Sequence, residues 1–204
     1  MKKYFIVAGE PSGDLHGSKL IKAIKDLNPN SSFMGHGGDS MRNEGMHIIE
    51  HVDSLAIMGF AEVLRHLPRM NKIMKNTVGA IERSKPDRVI LIDYPGFNLR
   101  LAKRLSPLKI SITYFILPQA WAWKQRRVEV LKRFIDQSIS IFPFENDWYK
   151  KHGLRVDYFG HPFVDIEHFN ETTKSFYKRH SLNINNPILT LLPGSRQQEV
   201  DRHW

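Results

Sequence analysis

Between Arg88 and Asn98 the chain reads RVILIDYPGFN, an apolar run that stops at a carboxylate and a proline turn. Val89, Ile90, Leu91 and Ile92 are mostly β-branched and carry no polar alternation. Such a run predicts a parallel strand buried on both faces, which requires helices above and below its sheet. Asp93 then falls at the carboxyl end of the strand, where open α/β sheets bind their ligands. Position alone leaves two readings for it. Asp93 is either an acid placed for chemistry or the cap of the helix after Gly96, since Asp is a preferred N-cap.

The same pattern recurs along the chain. Tyr4 to Ala8 predicts a short strand that runs into Gly9-Glu10-Pro11-Ser12-Gly13-Asp14 and then a helix carrying Leu15, Leu20, Ile21, Ile24 and Leu27. Strand, glycine loop and helix form the first half of a Rossmann-like unit, whose helix terminus offers N–H groups to an anion. The spacing matches neither a dinucleotide fingerprint nor a Walker A loop, so a plain tight turn is the alternative. Ser32 to Met34 predicts a second strand, followed by a glycine-rich loop with His36 as a ligand contact or a solvated side chain. Ile110 to Leu117 predicts another buried strand, ending in Pro118-Gln119-Ala120-Trp121-Ala122-Trp123 ahead of Lys124, Arg126 and Arg127. Trp121 and Trp123 there would stack bases, frame a sugar or cover the sheet edge. With Gln137 to Phe142 and Arg155 to Phe159, strand and helix alternate about seven times, which predicts a doubly wound, mostly parallel sheet.

From Ser54 to Ile81 apolar residues recur at helical spacing, with a break expected near Pro68. Met58, Phe60, Val63, Leu64, Leu67, Met70 and Met74 form the stripe, with Arg65, Arg69 and Lys72 between them and Lys75 just after. A basic amphipathic segment of this kind either lies on an anionic membrane and meets acyl chains, or packs on the sheet. The whole chain has 30 Lys and Arg against 21 Asp and Glu, a formal charge of +9, which favours an anionic partner. No cysteine is present, which removes disulfides and thiolate metal sites. No run approaches the roughly 18 apolar residues of a spanning helix.

Composition shifts at Val164, and the expected division is a Rossmann-like domain over 1–163, a linker over 164–187, and the opening of a further domain over 188–204. Ile188 to Leu192 predicts a fresh buried strand, and Gly194-Ser195-Arg196 places a turn and a guanidinium at a helix start, a phosphate-binding arrangement.

Several stretches together resemble the lipid-A-disaccharide synthase family. They are GEPSGDLHG at Gly9–Gly17, SLAIMGFAEVL from Ser54, IDYPGFN at Ile92–Asn98, PQAWAWKQRR at Pro118–Arg127, FPFE at Phe142–Glu145, FGHP at Phe159–Pro162 and LLPGSRQQEV from Leu191. The resemblance implies the amino-terminal half of an inverting GT-B glycosyltransferase, inactive without its second domain. The implied reaction joins UDP-2,3-diacylglucosamine to 2,3-diacylglucosamine 1-phosphate, giving the β-1,6-linked lipid A disaccharide 1-phosphate and UDP. Asp93 would be the base, Gly194, Ser195 and Arg196 the nucleotide contacts, and Ser12, Asp14, His36, Gln119, Trp121 and Trp123 the substrate pocket. The stripe from Met58 to Met74 would meet the cytosolic face of the inner membrane. No metal, cofactor or nucleic acid is implied, and any homodimer is expected through the second domain. Two other functions fit the residues less well: a basic nucleic-acid-binding module using Trp121 to Arg127, and a GT-B transferase or epimerase acting on a soluble nucleotide sugar.

Overall fold

The computed structural model describes residues 1–55, 67–164, 171–193 and 200–201, with Leu67 described by its backbone alone. The chain divides into one unit over Met1–Val164 and a second over Asp165–Trp204.

Among the described residues the first unit has the strands β1 Lys3–Ala8, β2 Ser32–Gly37, β3 His47–His51, β4 Arg88–Ile92, β5 Ser111–Phe115, β6 Gln137–Ser140 and β7 Asp157–Tyr158. They form a 7-stranded sheet in the order β3-β2-β1-β4-β5-β6-β7. Each pairing is parallel. Helices α1 (Pro11–Leu27), α2 (Asp39–Asn43), α3 (Val52–Leu55), α4 (described over Leu67–Ser84), α5 (Pro95–Leu105), α6 (Arg127–Phe134) and α7 (Pro143–Lys151) make the connections. The expected α/β doubly wound Rossmann-like architecture is present.

β4 explains why both faces are covered. Val89 and Leu91 join a core that includes Ile73, Met74 and Ile81 of α4 and Leu101 and Leu105 of α5. Ile90 and Ile92 point the other way, into a cluster with Ile21 of α1 and Met41 of α2. A strand packed on both sides has no solvent face, hence no polar alternation.

Two expectations are corrected in this unit. Met74 is buried in the core and Met70 packs partly buried against it, so neither belongs to an exposed acyl patch. The stripe of α4 covers the sheet, while Arg69, Lys72 and Lys75 stay exposed on the other side. Met58, Phe60, Val63 and Leu64 lie outside the described residues, as does the side chain of Leu67; the expected break near Pro68 sits at their border. His36 belongs to β2 rather than a loop. The glycines around it serve close packing, because a Cβ on Gly35 would stand 2.0 Å from the Ile6 carbonyl oxygen. The ladder with β3 shifts register between Gly35 and His36, as at a bulge.

The second unit contains α8, Thr173–Arg179. Thr172 Oγ1 accepts the Ser175 amide at 3.2 Å as its cap. Ile188 to Leu192 does not form the expected buried strand: the segment has no ladder partner among the described residues, and Leu189 and Leu192 are 85% and 89% exposed. A lone apolar strand has no hydrogen-bond ladder and no face to bury against. Among the described residues no helix is long and apolar enough to cross a membrane.

Candidate active site

Register fixes what meets at the carboxyl edge of the sheet. Ala8 pairs with Ile92, and Ile92 with Phe115, so Gly9, Asp93 and Ile116 emerge side by side. The chain turns outward from β1 to β2 and later returns to β4 on the other side. The β1/β4 boundary is therefore the topological switch point, the position at which α/β sheets open a ligand crevice. Backbone strain gathers here. Asp93, Tyr94 and Ile116 adopt φ of 43°, 48° and 64°. Left-handed backbone costs a non-glycine residue roughly 1–2 kcal/mol, so the surroundings must impose it.

The constraint on Asp93 comes from its own peptide. Its N–H donates to the Phe115 carbonyl at 3.0 Å. Its carbonyl accepts the Tyr114 hydroxyl at 2.6 Å and the Asn98 amide at 2.8 Å. The cap position of α5 falls on Tyr94, with no side-chain capping bond, so the reading of Asp93 as the N-cap is not what the geometry builds. The Tyr94 ring lies against Gly9, where a Cβ would stand 2.2 Å from its Cδ1. Burial, and then the charge of Glu10, push the Tyr94 hydroxyl above its usual pKa. Burial raises Tyr114 more strongly, with the Asp93 carboxylate adding to it and Arg127 opposing. Both phenols thus stay protonated, as donors.

Beyond β5 the tryptophans take different roles. Trp121 is half-buried and its indole N–H donates to Glu145 Oε1 at 3.1 Å. Glu145 is buried at the start of α7, and its other oxygen accepts the Phe142 amide at 3.3 Å. Burial raises its pKa despite those two bonds. Trp123 is exposed, with Lys124 and Arg127 stacked 4.4 and 4.8 Å from its ring centre. The two rings therefore do not form a matched pair of open stacking platforms. The Gln119 carbonyl receives the Ala122 and Trp123 amides, closing the turn, and the residue itself is exposed.

Two residues expected in the pocket are buried and engaged by the fold itself. Pro11 opens α1, so Asp14 is a residue of its first turn and buried. Its carboxylate accepts the amides of Gly38 at 2.7 Å, Ser40 at 3.0 Å and Met41 at 3.0 Å, which caps α2 from outside and leaves a structural role. His36 is 1% exposed, with its ring among Phe5 and Phe97. The Thr77 hydroxyl donates its one proton to the Ile73 carbonyl, so the contact to His36 Nε2 at 2.9 Å requires the imidazole to donate. Burial depresses its pKa to about 4, and it serves the core as a neutral ring. Ser12 remains exposed in the first turn of α1. Gly194, Ser195 and Arg196 lie outside the described residues.

Sequence reasoning missed Asn98 and Tyr114. Each carried a signal: a Tyr inside a buried strand must place its hydroxyl, and an Asn between Phe97 and Leu99 in an apolar helix face must place its amide. It also passed over His16. The His16 ring packs 5.3 Å from Phe163, while His161 lies 5.2 Å from the same ring. Burial first, then Lys19 and His161, lower the His16 pKa.

A parallel sheet covered by helices on both faces, with its chain reversing at the β1/β4 boundary, defines a Rossmann-like α/β domain. The chain belongs to the lipid-A-disaccharide synthetase family, whose model matches residues 4–204. It is 38% identical over 200 residues to the lipid-A-disaccharide synthase of Myxococcus xanthus, covering 98% of this chain and 52% of that protein. It is 41% identical over 199 residues to lipid-A-disaccharide synthase 1 of Legionella pneumophila, covering 97% and 52%. The chain thus spans about half the length of the curated relatives it matches. A crystal structure of UDP-GlcNAc 2-epimerase from Neisseria meningitidis, bound to UDP-GlcNAc, superposes with a TM-score of 0.54 at 10% identity, covering 76% of this chain and 45% of that one. The epimerase of Methanocaldococcus jannaschii gives 0.51 at 14% identity, over 78% and 45%. Those likenesses speak for the fold. The family resemblance drawn from the sequence motifs is borne out.

Proposed function

We propose that this chain is the acceptor-side half of an inverting GT-B glycosyltransferase in lipid A synthesis. Its substrates are UDP-2,3-diacylglucosamine and 2,3-diacylglucosamine 1-phosphate, and its products the lipid A disaccharide 1-phosphate and UDP. Family membership supports the reaction. The observation that carries the residue assignment is Asp93, at the end of β4 beside the β1/β4 switch point, on a left-handed turn and not at the cap position of α5.

In the proposed step the Asp93 carboxylate takes the proton of the acceptor 6-hydroxyl. The oxygen attacks the anomeric carbon of the donor from the face opposite the diphosphate, forming the new C–O bond. The bond to the UDP oxygen breaks and its electron pair leaves with UDP, inverting the centre. The donor side falls to Arg196 with Gly194 and Ser195, a guanidinium beside a Gly-Ser pair, which suits a diphosphate without a metal. Peripheral contact with the inner membrane falls to Met58, Phe60, Val63, Leu64 and Leu67, since both substrates carry acyl chains. Gln119, Trp121, Trp123 and Ser12 line the acceptor side in this reading.

The test uses the full-length protein and UDP release. Asp93→Asn is expected to lower turnover about 10²- to 10⁴-fold, the usual range for a lost general base. Turnover near that of the unaltered protein would sink the assignment.

A further inference from the structure

Tyr114 and Asn98 are polar side chains in fully buried places. Tyr114 is 0% exposed in β5, and Asn98 is 0% exposed in α5. Neither touches solvent, and both donate to one carbonyl: that of Asp93 accepts the Tyr114 hydroxyl at 2.6 Å and the Asn98 amide at 2.8 Å. The same amide also lies 3.3 Å from the Ile92 carbonyl and 3.4 Å from that of Val7, tying the ends of β4 and β1 together. The Asn98 carbonyl oxygen is buried with no hydrogen-bond partner. An unsatisfied buried acceptor calls for an explanation, and the donors of the same amide offer one.

What the donor does is hold a backbone that would otherwise relax. Asp93 and Tyr94 are consecutive left-handed residues without the freedom of glycine. Returning Asp93 to the extended region would swing its Cα–Cβ bond and carry the carboxylate off its present line. A carbonyl gripped from two elements, with the amide fixed on Phe115, forbids that rotation. Resting on the reading of Asp93 as the base, we infer that Tyr114 and Asn98 are positioning residues, which aim the Asp93 carboxylate by clamping its carbonyl from β5 and α5. Neither touches the reacting atoms. Their effect is on geometry, where displacement of a catalytic group by about 1 Å costs on the order of 10²-fold in rate.

Tyr114→Phe removes the hydroxyl and keeps the buried ring, so the fold is retained. In the full-length protein, kcat and KM for UDP release are measured for Tyr114→Phe, Asp93→Asn and the double variant. The expected result is a fall in kcat of about 10- to 100-fold for Tyr114→Phe, with KM within about twofold. In the Asp93→Asn background the same change is expected to have no further effect, because a positioning residue has nothing left to aim. Loss by the same factor in both backgrounds would mark Tyr114 as merely structural and overturn the inference. So would wild-type kcat for Tyr114→Phe beside an inactive Asp93→Asn, and that outcome leaves the base assignment standing. Wild-type turnover of Asp93→Asn removes the base, and the positioning role goes with it.

Discussion

Asp14 and Asp93 lie toward the same edge of one sheet, and the protein uses them in opposite ways. On the β1–β2 side the carboxylate of Asp14 is what is bound, receiving three backbone amides of the α2 start. On the β4–β5 side the backbone of Asp93 is held, its carbonyl accepting from Tyr114 and Asn98. The first arrangement relieves unsatisfied helix donors and stabilises the fold. The second holds left-handed backbone at Asp93 and Tyr94, strain of the kind that gathers at functional sites and on which the proposed role rests. An acid at the carboxyl edge of a sheet is therefore not a site residue by position alone, since Asp14 serves the fold there.

The comparison breaks most sharply on activity. Asp93→Asn is expected to lose turnover by a factor equivalent to about 3–5 kcal/mol of barrier while its thermal midpoint stays within a few degrees of the unaltered protein. Large destabilisation by that change would erase the contrast. Asp14→Ala should do the converse. Removing a buried carboxylate from three amides is expected to cost about 3 kcal/mol in a denaturant titration, with kcat per folded molecule preserved. The settled side also carries a pH signature. His36 titrates at about 4 when folded, against 6.5 for a free histidine. Between those values the unfolded chain binds a proton that the folded chain refuses. The stability it secures is full above pH 6.5 and falls as pH drops toward 4, by about 3 kcal/mol. His36→Gln should flatten that part of the stability profile, and an unchanged profile would refute the assignment. The smallest effect belongs to Trp123, whose exposed stack with Lys124 and Arg127 should contribute only about 0.5–1 kcal/mol to stability when tested by Trp123→Ala.

Much of this was legible in the residues, because burial writes itself into composition. Val89 to Ile92 announced a doubly covered strand, and the three- and four-residue recurrence through Met70, Met74, Val78 and Ile81 announced a helix. The partner of that helix was not legible. An amphipathic stripe records that something apolar covers it, and a sheet and a membrane leave the same pattern; the core position of Met74 decided for the sheet. His36 was misread because three nearby glycines suggest a loop, whereas Gly35 is demanded by the carbonyl of the neighbouring strand.

For Asp93, the sequence by itself determined the strand, its carboxyl end and, through the family motifs, the kinship of the chain. Only the tertiary structure separated that acid from Asp14. The amides that engage Asp14 lie 24, 26 and 27 residues further along the chain, and the hydroxyl that holds the Asp93 carbonyl lies 21 residues away. Local pattern encodes which faces are buried, since burial depends on each residue's own transfer from water. Which hydrogen-bond partner a polar group finds depends on strand order and register, and these exist only once the chain has folded.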